Sequence, residues 1–355
     1  MTTPRSFFAK MGNFVDKLEL FAADYFEKFG NSGILRVTSK GTVLYERYLG
    51  FADRESRIPF SKDSMFAFYS LSKPFLAIGL MKLYEEGRID IDQHPGHYIP
   101  EALGFDPRVT FRHMLHHVSG LPDFDQTARF SQKYLSGCPE QLREQLLELA
   151  GYPMVFEPGT RVMYANINMI LCALAIENIT GMTYETYIEE AVFTPLGMSA
   201  RIDRKDLLLP CRVTGYEEKD GQIVPVRSCL DWMHGAGDVI GTVDDVYCLN
   251  KAIKYRLLLD NESWDQILMP WPEFNSFGMG CRVTKWHGKT RITHNGGHVG
   301  FRTLHVQLPE DDLNIIFLSN AAWGDARTDF AEAVYAAYYG EDQPAEVIEM
   351  DKGYI

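Results

Sequence analysis

"FYSLSKPFLAIGLMKL", Phe68 to Leu83, decides how the rest of the chain is read. Beyond its first turn the stretch is apolar on nearly every helical face, the pattern of a helix buried on all sides. A helix that begins near Ser70 puts Pro74 in its first turn, where a missing N–H costs little. Positions i and i+3 share a face, so Lys73 points to the same spot as Ser70. A serine hydroxyl is a poor nucleophile until a neighbouring base takes its proton. Lysine is such a base when burial or a nearby cation lowers its pKa. A serine at a helix N-terminus also offers an unused backbone N–H to an oxyanion. Ser70 is the only serine in the chain with a lysine three residues on. A capping serine beside a snorkelling lysine is the bland alternative.

Working outward, residues 14–29 read as an amphipathic helix, with Phe14, Leu18, Leu20, Phe21, Tyr25 and Phe29 apolar. "SGILRVTSKGTVLYERYLGFAD" reads as a β-hairpin turning at Lys40-Gly41. A mostly helical middle follows to about Pro210. It includes helices over 142–150 and 166–180, the second closed by Gly181, and a third ended by Pro195. Strands return from about Val213, notably 277–286, 291–295 and a pair around Pro309 to Asp312. A last helix covers 325–339, and the tail from 341 reads as poorly ordered. Strands at both ends and helices between predict an α+β fold: one antiparallel sheet flanked by the terminal helices, with a helical domain inserted. The expected division is 1–69 with 213–355 for the sheet domain and 70–212 for the helical one. The site would lie in the cleft between them.

The 355 residues carry a formal net charge of −13. Such a field repels phosphate backbones and acidic membranes, so neither nucleic acid nor membrane is an expected partner. The longest apolar run, Phe75 to Met81, is too short to span a bilayer. The first thirty residues lack a signal-peptide pattern, and six scattered cysteines form no CxxC pair. The expectation is a cytoplasmic protein with free thiols.

Two further stretches join the first: Tyr164-Ala165-Asn166 within "RVMYANINM", and His294-Asn295-Gly296-Gly297 within "RITHNGGHVGF". With Ser70-Leu71-Ser72-Lys73, they resemble the three ordered motifs of the serine β-lactamases and penicillin-binding proteins. The likeness is to the class C β-lactamase branch, which also holds esterases, D-aminopeptidases and DD-peptidases. "VTFRHMLHHVSGLPDF" and "FTPLGM" match in style, and the resemblance runs from about Gly33 to Asn320.

The resemblance implies that Ser70 attacks the substrate carbonyl and becomes acylated, with Lys73 and Tyr164 sharing the proton work. It implies that Asn166 binds a substrate amide or orients Lys73, and that the backbone N–H groups of Ser70 and Gly297 hold the oxyanion. Water deacylates the enzyme, with no metal or cofactor needed. His294 departs from the β-lactamase pattern, which has lysine there. A lysine is permanently charged, whereas histidine is mostly neutral at pH 7. The expected substrates are therefore small esters, amides or D-residue peptides. Penicillin binding, β-lactam hydrolysis and a catalytically silent binding protein are the alternatives.

Other signals are weaker. His113, His116 and His117 have helical spacing but fall in a phrase shared with the resembling family, so a metal site is not expected. "GAGDVIG", Gly235 to Gly241, misses the dinucleotide-loop spacing by one and reads as a turn lining the cleft. No Gly-x-Ser-x-Gly occurs. Arg302 reads first as an exposed strand arginine and second as a partner for a substrate carboxylate. Trp232 and His234 divide evenly between pocket wall and core.

Overall fold

Strand β1, Gly33–Ser39, is buried at every position, and what buries it comes from both ends of the chain. The computed structural model describes residues 4–123, 142–204, 207–226, 233–274 and 276–340. The expected disordered tail and Trp232 lie outside the described residues. On one edge β1 forms a hairpin with β2, Thr42–Leu49, through Lys40 and Gly41 at φ +50° and +79°. On the other it pairs antiparallel with a strand some 280 residues later, Gly33 opposite Ser319 and Ser39 opposite Leu313. The remaining strands are β3 (Arg282–Trp286), β4 (Lys289–His298), β5 (Phe301–Leu308) and β6 (Leu313–Ser319). The antiparallel sheet runs β3-β4-β5-β6-β1-β2.

Alternation along each strand divides the side chains between two faces. Leu35, Val37, Leu304, Val306, Ile315 and Phe317 point outward and are covered by the two terminal helices, α1 (Pro4–Phe29) and α5 (Arg327–Tyr339). Phe21 meets Phe330, and Tyr25 meets Phe317, each at 5.5 Å between ring centroids. This is the predicted architecture, with α1 beginning earlier than its apolar stripe.

The inner face faces the rest of the chain. Ile34, Ile292, Ile316 and Leu318 join the core formed by α2 (Lys73–Glu85) and α3 (Asn166–Thr180). Between them lie polar residues, each needing a partner. Arg36 takes Glu46 and Asp244, and Gln307 donates to the Asn250 carbonyl at 2.9 Å. Each large apolar side chain of α2, such as Phe75 or Leu80, stabilises the fold by roughly 1.5–3 kcal/mol through burial. Helix α3 ends as predicted, at Gly181 with φ +73°.

Two helices lie in the C-terminal half, where the sequence predicts strands: α4 (Val243–Tyr255) and Asn261–Leu268. Their start signals are plain in retrospect. Thr242 and Asp245 form a capping box, and the Asp260 side chain caps the second helix.

A small three-stranded sheet joins Phe66–Ala67, Val239–Gly241 and Arg201–Ile202. It ties the approach to Ser70 to the Gly-rich turn before α4.

Candidate active site

The α-helix begins one turn after Ser70, the residue near which the sequence places its start. Residues Tyr69–Ser72 form a 3₁₀ turn, and the α-helix starts at Lys73, with Pro74 in its first positions. The relation between Ser70 and Lys73 survives, because side chains at i and i+3 eclipse in a 3₁₀ turn. Tyr69 enters the turn at φ +50°, uncommon for a bulky residue. It is held there by its hydroxyl, which donates to the Val299 carbonyl at 2.8 Å, and by packing on Phe301.

Lys73 is completely buried, and its Nζ meets three acceptors: Ser70 Oγ at 3.1 Å, Asn166 Oδ1 at 3.0 Å and the Ala236 carbonyl at 2.6 Å. Three acceptors match the three N–H bonds of an ammonium. A neutral amine keeps two N–H bonds for Asn166 and Ala236 and turns its lone pair to the Ser70 hydroxyl. Burial disfavours the charge, the carboxylates of Asp123 and Asp238 partly restore it, and the Lys73 pKa falls from 10.5 to about 7.

Tyr164 completes the cluster. Its hydroxyl donates to Ser70 Oγ at 2.6 Å, and its ring lies 4.7 Å from Lys73 Nζ. Asn166 starts α3, where Asp123 accepts the backbone N–H of Asn166 at 2.6 Å and of Ile167 at 3.1 Å. One carboxylate thus satisfies two helix-end donors and aims the Asn166 side chain at Lys73. Under the Tyr164 ring lies His117, at 4.4 Å between centroids, its backbone at φ +58°. Burial, then Lys73, keeps the His117 imidazole neutral.

Strand β4 brings the third motif alongside. His294 is 3% exposed and its ring centroid lies 6.3 Å from that of Tyr164. Its Nδ1–H donates to the Asn295 carbonyl at 2.6 Å, while burial and Lys73 hold the ring neutral. Gly296 packs directly on the Ser70 turn: a Cβ there would sit 1.9 Å from the Phe68 carbonyl oxygen. Thr303 donates to that oxygen at 2.9 Å, which clamps turn and strand together. Asn295 is half-buried and Gly297 is exposed at the strand end. Arg302, opposite Gly297, is half-buried rather than exposed, and its guanidinium folds back on the His298 and Phe301 carbonyls.

So Ser70, Lys73, Tyr164 and Asn166 share one hydrogen-bonded cluster, with His294 and Gly296 against it. His113 and His116 instead pack on Trp271 at 5.2 and 5.5 Å. Among the described residues no group of three metal-ligating side chains converges. His234 belongs to the interior, 3.5 Å from Glu177. Asp123, His117 and Asp238 were not anticipated. The phrase "HHVSGLPDF" holds the first two, but nothing in it says that their side chains turn toward Lys73.

A mixed fold with an antiparallel sheet, and a serine, a lysine and a tyrosine within hydrogen-bond reach, define a class: hydrolases of the serine β-lactamase fold. The chain belongs to the Beta-lactamase family, whose model matches residues 22–338. It is 28% identical over 338 residues to penicillin-binding protein 4* of Bacillus subtilis (strain 168), covering 88% of this chain and 72% of that protein. It is 23% identical over 297 residues to the D-aminopeptidase of Gluconobacter oxydans (strain 621H), covering 82% of this chain but only 56% of the relative. The solved structure of the penicillin-binding protein from Bacillus halodurans matches with a TM-score of 0.76 at 25% identity, over 90% of this chain and 98% of that one. Fold, family and relatives together support a serine hydrolase of the β-lactamase fold.

Proposed function

We propose that the chain hydrolyses small esters, amides or D-amino-acid peptides through an acyl-enzyme at Ser70. The observation that carries the reading is the environment of Lys73 Nζ, buried among three acceptors of which Ser70 Oγ is the longest at 3.1 Å. When the lysine is neutral, Asn166 and Ala236 hold its two N–H bonds and its lone pair can only face Ser70. Lys73 is then the acylation base. The Ser70 proton passes to Nζ as Oγ attacks the carbonyl carbon. The oxyanion is held by the backbone N–H groups of Ser70 and Gly297. Tyr164, 2.6 Å from Ser70 Oγ, gives its proton to the leaving group and is recharged from the Lys73 ammonium. Water attacks the ester in the reverse sense and frees Ser70.

His294 shapes the substrate class. Its neutral ring, with Nδ1–H committed to the Asn295 carbonyl, offers no fixed cation to a substrate carboxylate. That favours acyl donors whose recognition does not depend on an anion beside the third motif, and disfavours rapid β-lactam turnover.

The test is a fluorophosphonate probe followed by intact mass spectrometry, on the native protein and on Ser70→Ala. One adduct on the native protein and none on the variant is expected. No adduct on the native protein overturns the reading. A panel of p-nitrophenyl esters, D-alanyl amides and nitrocefin then ranks the substrates, with nitrocefin expected last.

A further inference from the structure

The Ala236 carbonyl makes the shortest contact to Lys73, 2.6 Å, yet it belongs to a turn remote in sequence. Several bonds fix that turn. The N–H groups of Ala236 and Gly237 both donate to the Met233 carbonyl, at 2.5 and 3.1 Å. Gly235 adopts φ +70°, and a Cβ there would lie 2.5 Å from Leu76 Cδ1. The Val239 N–H donates to Ser72 Oγ at 3.0 Å, which ties the turn to the residue before Lys73. Asp238 is central: its Oδ2 accepts the Gly235 N–H at 2.8 Å, and its backbone carbonyl accepts the Asp203 N–H at 2.6 Å.

The Asp238 carboxylate is an unusual thing to bury here. The residue is 1% exposed, and among the described residues its Oδ1 has no hydrogen-bond partner. A buried carboxylate is costly unless charge or hydrogen bonds compensate it. Compensation comes from behind. His234 lies 3.5 Å from Glu177 of α3, and its ring centroid lies 5.8 Å from that of Tyr184 in the helix Tyr184–Ile188. Burial opposes a charge on His234, but Glu177, Asp238 and Glu185 outweigh it, and its pKa rises to about 9. Burial lifts Asp238 to about 7, against the pull of His234 and the Gly235 N–H and with the push of Glu185. The groups facing Asp238 are thus His234, Glu185, Tyr184 and Lys73. Lys73 is faced in addition by Asp123, His117, His294 and Tyr164.

We propose that Asp238 is a positioning residue for the reaction at Ser70: it fixes the turn that presents the Ala236 carbonyl, and its charge governs how readily Lys73 releases its proton. The catalytic consequence rests on the Ser70 acyl-enzyme reading, whereas the coupling between Asp238 and Lys73 does not. At low pH both groups carry protons and Lys73 is no base. As pH rises, an ionised Asp238 favours the Lys73 ammonium, so losing that charge lets Lys73 become neutral at lower pH.

The test follows the ¹³Cε signal of Lys73 by NMR against pH in the full chain. In Asp238→Asn the amide oxygen can still accept from Gly235, but the charge is gone. The Lys73 midpoint is expected about one pH unit lower than in the native protein. Glu185→Gln, at a half-exposed site, acts in the opposite direction: it eases ionisation of Asp238 and raises the midpoint by roughly a few tenths. An unchanged midpoint in Asp238→Asn, or equal signs in the two variants, overturns the proposal. With a p-nitrophenyl ester, the acid limb of kcat/KM moves down with the midpoint while KM stays constant, since Asp238 does not touch the substrate. A changed KM with an unmoved limb means a merely structural role and also overturns it. Fluorophosphonate labelling keeps the two readings apart. A native protein that does not label removes the hydrolase reading, and the NMR titration still decides the coupling.

Discussion

Replacing Lys73 by methionine should abolish acylation and remove a buried-charge penalty that weighs on the fold below pH 7. The side chain is wholly buried, and burial brings its pKa from 10.5 to about 7. That gap is worth about 5 kcal/mol, the penalty for keeping the lysine charged inside the protein. The sign follows from which state holds the proton. Below about pH 7 both folded and unfolded chains carry it, and the full penalty applies. Between about 7 and 10.5 the unfolded chain binds more protons than the folded one, so native stability rises with pH, by about 1.4 kcal/mol per pH unit from this group. Above 10.5 the penalty is gone. Methionine has nearly the same length and no charge. Its own cost is the loss of a donor to Asn166 Oδ1 and the Ala236 carbonyl, about 1–3 kcal/mol for each acceptor left dry. The net gain at pH 6 is therefore small, but its pH dependence is not. Urea unfolding of both proteins at pH 6, 7, 8 and 9 measures it. The stability advantage of Lys73→Met should shrink steadily above pH 7. Parallel stability curves would refute the argument, because they would mean that Lys73 stays protonated in the fold throughout.

Two other substitutions probe separate parts of the site. Tyr164→Phe removes the 2.6 Å hydrogen bond to Ser70 and, in the proposed mechanism, the proton donor for the leaving group. kcat/KM for an amide should fall by about 10²–10³, while an ester with a good leaving group, which needs little protonation, loses much less. Equal losses for both substrates would remove Tyr164 from that step. Gly296→Ala forces a Cβ to within 1.9 Å of the Phe68 carbonyl oxygen, a backbone atom that cannot turn aside. The strand must part from the Ser70 turn at a cost of about 3 kcal/mol, visible as a lower Tm together with loss of fluorophosphonate labelling. A variant with native Tm would show that the clamp has slack.

What the sequence discloses about this protein depends on how local the signal is. Ser70 and Lys73 are three residues apart, and i+3 geometry holds in a 3₁₀ turn as in an α-helix, so their pairing was readable even though the helix start was not. Helix α3 carried its own stop at Gly181. Lys40-Gly41 carried its own hairpin. By contrast, Asp123 acts through space. It caps a helix that begins 43 residues later, and no spacing rule links the two. His117 lies in a histidine-rich phrase whose other members pack on Trp271. Only the left-handed backbone at His117 turns it beneath Tyr164. Asp238 sits in a Gly-rich stretch that read as a turn, and so it is. That a carboxylate would be buried there against His234, itself 3.5 Å from Glu177 of α3, follows from no spacing rule. Helix α4 announces itself through the capping box of Thr242 and Asp245, a short local signal set among β-rich residues.

The position of β1 bears on how the chain is made. It is the first strand of this sheet to leave the ribosome, yet it is an interior strand of the finished sheet, and its partner β6 follows some 280 residues later. At about 5–20 residues per second that wait lasts on the order of tens of seconds. Throughout it, Gly33–Ser39 has only β2 beside it and shows an open edge of unpaired N–H and C=O groups to other nascent chains. A premature stop anywhere before residue 313 would therefore do more than shorten the protein: it would leave that edge open for good, and such a fragment should partition to chaperones or aggregates rather than persist as a smaller enzyme.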